Sequence, residues 1–119
     1  MRTESTGTEL LARLLASTEL RARVISSNLA NQNTPGYVRR EVHFEEHLAE
    51  AMKSGRRNLA RIQPQVDLDR LSPARPDGNN VTLELELNAM RENRLLYETY
   101  ASMLKSHMSM LEAAITEGR

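Results

Sequence analysis

Residues 83–115 read LELELNAMRENRLLYETYASMLKSHMSMLEAAI, a segment with a regular apolar period. Apolar or small side chains recur at alternating spacings of four and three residues, and Arg94 is the one interruption. A period of about 3.5 residues is typical of a helix that packs in a coiled coil. The segment therefore predicts one helix of about 50 Å, at a rise of about 1.5 Å per residue. Either Asn80 or Thr82 is expected to cap its start, and Gly118 is expected to end it.

The N-terminal part of the chain carries a shorter apolar row with the same spacing, from Leu11 to Leu29. Small side chains at Thr18 and Ala22 favour close approach by a partner helix. Because one helix cannot bury its own apolar row, the two rows are predicted to pair, and the longer C-terminal row is expected to contact other chains as well. The residues predicted to form this assembly seam are Leu11, Leu15, Ile25, Leu29, Leu83, Leu87, Met90, Tyr97, Leu104, Met108, Leu111 and Ile115.

The middle of the chain differs from both ends, because residues 31–80 hold all four prolines and few aliphatic side chains. A short helix is predicted within residues 41–55 and a weak strand within 63–68. The predicted fold is mainly α, with the N- and C-terminal helices paired as a coiled coil around a short irregular middle that is partly β or disordered. We divide the chain into residues 1–34, 35–79 and 80–119, which together form one domain.

The composition argues against several classes of function. Sixteen Lys and Arg balance sixteen Asp and Glu, so no overall field favours nucleic acid or an acidic membrane. Cysteine is absent, which excludes disulfides, thiol catalysis and cysteine-ligated metals. No apolar run is long enough to span a membrane, and the N-terminus lacks the apolar core of a cleavable signal peptide. Only 26 of the 119 residues are Leu, Ile, Val or Phe, so the chain alone is expected to be marginally stable and to gain order with partners.

The most specific local pattern is SNLANQNTPGY, from Ser27 to Tyr37. Asn31 is expected to end the first helix in a left-handed conformation, which Asn tolerates. The dipeptide Pro35-Gly36 fits the central positions of a type II turn. The pattern is consistent with a simple helix stop and tight turn, but we interpret its amides as partners for backbone groups of a neighbouring subunit.

His43 and His47 match the zinc-protease pattern H-x-x-E-H, and the pattern places both His on one helix face. The match is short and lies in a charged stretch, and the sequence positions no third ligand or substrate cleft. Phosphate-binding loops and nucleophile motifs are not visible. We therefore expect no enzyme, no functional metal and no cofactor.

A basic cluster follows, at Lys53, Arg56, Arg57 and Arg61. Sites for single-stranded nucleic acid combine basic groups with aromatic side chains that stack on bases, and no aromatic residue lies near this cluster. We interpret it as a solvated charged face, and expect neither nucleic-acid binding nor direct membrane insertion.

The pattern from Ser27 to Tyr37 resembles the signature of the rod and hook family of bacterial flagellar axial proteins. The signature residues are Asn28, Leu29, Ala30, Asn31, Asn33, Thr34, Pro35, Gly36 and Tyr37. The C-terminal part of the chain is similar to the last helix of the proximal rod members of this family, and the short middle segment favours them over members with large inserted domains. The residues that carry this second resemblance are Gly78, Asn79, Asn80, Val81, Glu86, Asn93, Leu96, Tyr97, Leu104, Met110, Leu111, Ala114 and Ile115. Arg94 and the pair Ser26-Ser27 depart from the family pattern.

The resemblance implies a structural subunit of the proximal rod of the flagellar basal body, located in the periplasm and transmitting torque from the membrane ring to the distal rod and hook. It implies assembly by helical self-association and export, without a cleavable signal peptide, through the flagellar type III export apparatus. The partners implied are the rod proteins FlgC, FlgF and FlgG, the adaptor FliE and the membrane-ring protein FliF. The alternative is a soluble coiled-coil adaptor or secretion chaperone, which explains the helices but leaves the Asn-Thr-Pro-Gly-Tyr turn unexplained.

Overall fold

The computed structural model describes residues 2–56 and 58–118, so Arg57 of the basic cluster lies outside the described residues. The elements, in chain order, are helix α1 (Arg2–Ala30), strand β1 (Arg40–His43), helix α2 (Glu45–Lys53), a 3₁₀ turn (Leu59–Arg61), strand β2 (Gln65–Leu68) and helix α3 (Leu83–Glu117). The prediction of a mainly α fold is confirmed. No helix in the described ranges combines the length and the hydrophobicity that crossing a bilayer requires.

Helices α1 and α3 pack along each other in opposite directions and form the long axis of the molecule. Near one end Gly7 lies against the imidazole of His107, because a Cβ atom on Gly7 would be 3.2 Å from that ring. Near the other end the Asn28 side chain donates a hydrogen bond to Glu86. The molecule measures 67 × 28 × 15 Å. The predicted pairing of the N- and C-terminal helices is confirmed.

The middle segment folds onto α1 as two antiparallel strands with a short helix between them. Strand β1 pairs with β2 so that Arg40 lies opposite Leu68 and Val42 lies opposite Val66. Helix α2 falls within the predicted helical range 41–55, and β2 falls within the predicted strand range 63–68. The predicted short middle with some β structure is confirmed.

The apolar core is small and lies mostly between α1 and the middle segment. Phe44, between β1 and α2, is fully buried. The buried apolar side chains of the described residues are Val24, Ile25, Val42, Phe44, Leu48, Ala51 and Val81. Polar side chains are buried as completely, and Asn28, Asn79 and Glu86 each have 0% exposure. Buried polar groups require hydrogen-bond partners. These three residues and their partners form the candidate functional site.

Helix α3 begins after Thr82, which has an extended backbone and makes no side-chain capping hydrogen bond. Glu84 and Glu86 lie in its first turn, where the helix dipole favours negative charge. The helix ends at Gly118, as predicted. The side chain of Asn80, the other predicted cap, is used elsewhere: it accepts from the Arg39 N–H and donates to the Asp69 carbonyl.

Candidate functional site

The polar residues that follow α1 and those that precede α3 meet at one end of the helix pair. We call this cluster the junction. It contains Asn28, Asn31, Thr34, Tyr37, Arg39, Asp69, Arg75, Asn79, Asn80 and Glu86. Its residues come from both ends of the chain and from the middle segment, so the fold must form before the cluster exists.

Asn79 joins the end of α1 to the start of α3. Its side-chain amide donates to the carbonyls of Asn31 and Thr34, each at 2.8 Å, and its side-chain oxygen accepts from the Val81 N–H at 2.8 Å. The Arg75 guanidinium also donates to backbone carbonyls on both sides of this joint. Carbonyls near a helix C-terminus have no donor within the helix. Here the donors come from the segment that precedes α3.

The turn after α1 has the conformation that its sequence predicts. The Tyr37 N–H donates to the Thr34 carbonyl at 3.2 Å, and Gly36 has a φ of 76°, which together define a type II turn. Gly78, with a φ of 88°, packs directly against this turn, because a Cβ atom on Gly78 would lie 3.3 Å from the Gly36 Cα. Glycine is required at Gly78 both by its backbone conformation and by this close approach.

The Asn28 side chain pairs with the backbone of β1 as a neighbouring strand would. Its amide donates to the Arg40 carbonyl at 2.9 Å, and its oxygen accepts from the Arg40 N–H at 3.0 Å. The same oxygen accepts from the Tyr37 hydroxyl at 3.1 Å, and the same amide donates to Glu86 at 3.2 Å. Two donors and two acceptor sites are therefore all used, and Asn is the residue type that supplies both.

Two sequence interpretations of this region are wrong. Asn31 is not left-handed, since every non-glycine residue in the described ranges has a negative φ. Its side chain instead donates to the Ser27 carbonyl at 2.8 Å. The interpretation of the amides as partners for a neighbouring subunit is also wrong for Asn28, whose side-chain hydrogen bonds are all made within the chain. Strand β1, which the local sequence does not reveal, supplies its backbone partners.

Arg39 is the centre of an ionic cluster beside Asn28. Its Nε lies 2.6 Å from Glu86, and its Nη1 lies 2.7 Å from Asp69 and 2.6 Å from Glu41. Glu86 is completely buried, so its charge is compensated by Arg39 and the Asn28 amide rather than by water. The cluster fixes β1, β2 and the first turn of α3 relative to one another.

Asp69 and Arg39 both have pKa values shifted in the direction that favours their ionised forms. The Ser72 hydroxyl is the main cause that places the pKa of Asp69 well below its usual range; burial opposes the shift, and Arg39 and the N–H groups of Ser72 and Leu71 support it. Burial lowers the pKa of Arg39, but hydrogen bonds to Glu86, Asp69 and Glu41 outweigh it and raise this pKa above its ordinary value. Both side chains are therefore ionised at neutral pH.

A second polar contact lies farther along the helix pair. The Asn93 amide donates to the Thr18 carbonyl at 2.8 Å, and Arg21 bridges the Asn93 oxygen to Glu45 of α2. The Tyr100 hydroxyl also donates to Glu45, at 3.3 Å, and burial followed by the Glu45 charge raises the pKa of Tyr100. These bonds fix the register of α1 against α3 and attach α2 to both helices.

The predicted seam residues lie where α1 and α3 meet and on the exposed side beside that contact. A groove on this side is lined by Thr18, Glu19, Ala22, Met90, Asn93, Arg94 and Tyr97. Ile25 is buried; Leu11, Leu15, Leu29, Met90, Leu104 and Leu111 are half-buried; and Leu83, Leu87, Tyr97, Met108 and Ile115 are exposed. We call this side, defined by Tyr97, Met108 and Ile115, the seam face. Its role in assembly stays a prediction.

Sequence reasoning missed the structural roles of Arg39, Asp69, Glu86 and Asn93. In the sequence, Glu86 and Asn93 carried only the family resemblance and lay outside the apolar row, yet both side chains contact α1. They are seven residues apart, which places them on one helix face two turns apart. That spacing of two polar residues beside an apolar row was the available signal.

The two His of the protease-like pattern do not share a helix face. His43 ends strand β1 and His47 lies in α2, with their rings 6.3 Å apart and nearly perpendicular. His43 lies near two carboxylates, at 3.3 Å from Glu41 and 3.4 Å from Glu46. Within the described residues, no group of three or more His, Asp or Glu side chains is arranged to hold a metal ion.

Comparison with known proteins gives one consistent family. A sequence profile described as "Flagella basal body rod protein" matches residues 15–37, which cover the second half of α1 and the turn. The flagellar basal body rod protein FlgB of Aeromonas hydrophila is 34% identical over 107 residues, covering 80% of this chain and 81% of the relative. FlgB of Cereibacter sphaeroides is 33% identical over 114 residues, covering 87% and 89%. FlgB of Borrelia hermsii is 29% identical over 126 residues, covering 90% and 93%.

Proposed function

The chain belongs to the FlgB family of flagellar basal body rod proteins, and we propose that it builds the proximal part of the rod by helical self-assembly. The family assigns it a structural role in the basal body. In the proposed mechanism, packing between identical and related subunits is the whole activity, and no catalytic step takes part.

The observation that carries this proposal is the pair of exposed apolar rows on α3. One row belongs to the seam face and includes Tyr97, Met108 and Ile115, with 42%, 55% and 66% exposure. The other row includes Met103 and Met110, with 50% and 69% exposure. At 3.6 residues per turn these rows lie on opposite sides of the helix face that contacts α1. One subunit can therefore offer apolar surface to two neighbours at once.

Two different contact surfaces on one subunit favour a particular kind of assembly. When one surface of a subunit binds a different surface of the next, and the rotation between them does not close, the product is a helical filament. A closed dimer would instead require one self-complementary surface. The two rows on α3 therefore support an open, tubular assembly such as a rod.

The junction supports the same proposal by holding the two helices at one geometry. Its buried polar groups all have partners, and in the described residues no buried side-chain nitrogen or oxygen lacks one. A satisfied polar network specifies one arrangement, since other arrangements leave groups unpaired. Identical subunit geometry is what a regular rod needs, and a firm connection at the junction suits a part that transmits torque.

The finer assignments follow from the family. We propose that the neighbours are other copies of this chain and the rod proteins FlgC, FlgF and FlgG, with FliE and FliF at the membrane ring. We propose location in the periplasmic rod and passage through the flagellar type III export apparatus in an unfolded state. The small apolar core supports that route, because a marginally stable chain unfolds at little free-energy cost.

The test places a carboxylate on the seam face. Met108→Asp should leave production and export normal but prevent rod assembly, because a charge buried between subunits is strongly unfavourable. The matched control is Ser109→Asp, which adds the same charge one residue away among Lys105, Ser106 and Glu112. The measurement is motility in soft agar, with protein in purified basal bodies quantified by immunoblot.

Non-motile cells with the Met108→Asp variant, and motile cells with Ser109→Asp, are the expected outcome. In the isolated chain, Met108→Asp should change the free energy of unfolding by less than about 0.5 kcal/mol, since the residue is 55% exposed. Normal rods containing Met108→Asp would contradict the seam face as an assembly surface.

A further inference from the structure

The two outer edges of the small sheet differ in the hydrogen bonding of their outward backbone groups. The Asp69 N–H donates to the Arg39 carbonyl at 2.8 Å, so this pair is hydrogen-bonded across the strands. Because hydrogen-bonded and non-hydrogen-bonded pairs alternate in an antiparallel sheet, the pairs Arg40–Leu68 and Val42–Val66 are non-hydrogen-bonded. The backbone groups of these residues therefore point outward, away from the partner strand.

On the β1 side the outward groups of Arg40 are occupied. The Asn28 carboxamide donates to the Arg40 carbonyl and accepts from its N–H, so it closes the β1 edge at Arg40. On the β2 side no such residue is present. Within the described residues, the N–H groups of Val66 and Leu68 make no hydrogen bond, and all four residues of β2 are exposed. The open edge of the sheet is the β2 edge.

The open edge also carries apolar side chains. Val66 and Leu68 are 44% and 45% exposed, and Leu71, just beyond the strand, is 97% exposed. Soluble proteins normally protect a free edge with Lys, Pro or a bulge, because unpaired backbone beside apolar side chains invites pairing with another chain. Asp67 is the one charged residue within β2, and its side chain points to the opposite face from Val66 and Leu68.

The charges around this edge indicate which chain can pair with it. Asp67 lies directly across the sheet from Glu41, and its side chain makes no ion pair within the described residues. A second copy of β2 pairing antiparallel, with Val66 opposite Leu68, would place one Asp67 directly opposite the other. Like charges in that position are destabilising. A strand with a basic residue opposite Asp67 would instead complement its charge.

We propose that the β2 edge receives an extended segment of a different protein, with an apolar–basic–apolar alternation, as an added antiparallel or parallel strand. The outward N–H and C=O groups of Val66 and Leu68 supply the main-chain hydrogen bonds, and their side chains supply the apolar contact. Asp67 selects the basic residue on the opposite face. The contact is separate from the helical seam face, but its setting in the assembled rod rests on the proposed function.

Hydrogen–deuterium exchange on purified basal bodies tests the proposal. In the isolated chain, the amides of Val66 and Leu68 should exchange rapidly, and in the assembled rod they should exchange at least about tenfold more slowly, as amides do in a formed ladder. Unchanged exchange at these two amides, with α1 and α3 protected, would overturn the proposal and leave the rod assignment intact. Absence of the protein from basal bodies would contradict the rod assignment instead.

The Leu68→Pro variant lacks the one outward N–H donor at position 68. The Leu68 N–H points outward, so proline removes a donor to an added strand without removing a bond to β1. The control Leu68→Val keeps the N–H and an apolar side chain. Equal thermal unfolding of the two isolated variants would show that the fold is retained.

With the fold retained, Leu68→Pro should reduce motility strongly and abolish the protection of the Val66 amide in residual rods, whereas Leu68→Val should not. Equal motility and equal protection in the two variants would overturn the proposal. Analytical ultracentrifugation of the isolated wild-type chain separates the possible occupants. Dimers that Leu68→Pro abolishes would show that a second copy pairs with β2, and the proposed different partner would be wrong; a wild-type chain that stays monomeric agrees with the proposal.

Discussion

The junction and the C-terminal half of α3 differ in the kind of side chain that is buried or exposed. At the junction, the polar side chains of Asn28, Asn79 and Glu86 are completely buried and bonded within the chain. In the second half of α3, the apolar side chains of Met108 and Ile115 are more than half exposed. The chain thus buries polar groups at the junction and exposes apolar groups on α3.

Under the proposed function, the difference separates the contacts that one subunit makes within itself from those that it makes with its neighbours. Hydrogen bonds and ion pairs are directional, so the junction has one low-energy arrangement. Apolar contacts are non-directional, and Met in particular adapts to different neighbours. A rod subunit that meets several kinds of neighbour gains from a fixed joint and an adaptable surface. Variants at the junction should therefore act on the isolated chain, whereas those on the seam face should act on assembly.

The largest effect is expected at Glu86. Glu86→Ala leaves the Arg39 guanidinium and the Asn28 amide without their buried acceptor, and should lower the free energy of unfolding by about 3–5 kcal/mol. Glu84→Ala is the control, because Glu84 is exposed in the same helical turn and should change stability by less than about 0.5 kcal/mol. Unfolding followed by circular dichroism, in a fixed concentration of trimethylamine N-oxide, keeps a marginally stable chain measurable. Equal stabilities of the two variants would show that the junction is not the fixed part.

A smaller effect, with a characteristic pH dependence, is expected at Asp69. Its pKa is lower in the folded chain than in the unfolded chain, so its stabilisation is present above the unfolded value of about 3.9 and is lost as the pH falls toward the folded value. Asp69→Asn should cost about 1–3 kcal/mol at pH 7, the range for hydrogen bonds to charged groups.

The gap between wild type and Asp69→Asn should narrow as the pH is lowered below about 4, since protonation removes the same charge from the wild type. Unfolding free energies measured for both chains from neutral to acidic pH give this gap directly. Asp67→Asn is the matched control, as the Asp67 side chain is exposed and forms no ion pair within the described residues. A gap that stays constant with pH would exclude the Asp69 charge as its source.

The smallest effect is expected from substitutions at two glycines, Gly36 and Gly78, which lie next to junction residues and contact each other. Gly78→Ala places a left-handed alanine with its Cβ 3.3 Å from the Gly36 Cα, and should cost about 1–2 kcal/mol for the conformation plus the cost of the contact. Gly36→Ala has a similar φ, but its Cβ meets no atom within 4 Å, so only the conformational cost applies. Greater destabilisation by Gly78→Ala, measured by chemical unfolding, would show that close packing of the two loops matters. Equal losses of unfolding free energy in the two variants would show that the backbone conformation alone causes both.

Local patterns in the sequence were sufficient for several features. The four–three spacing from Leu83 to Ile115 identified α3, and Pro35-Gly36 identified the type II turn, because helix period and turn type depend on near neighbours in the chain. The signature around Asn28 identified the family for the same reason: it is contiguous. The sequence did not show the partners of the Asn28 amide.

The sequence by itself therefore determined the long helices, the turn between α1 and β1, the mainly α fold and the family. Only the tertiary structure decided that Asn28 closes an edge of the sheet, that Arg39 joins Glu86 to Asp69, and that the β2 edge is left open. These contacts join residues 12 to 58 positions apart in the chain, as with Asn28 to Arg40 and to Glu86. Helical period and turn preference fix neighbours a few residues apart, but which distant donor meets which acceptor depends on how the elements pack.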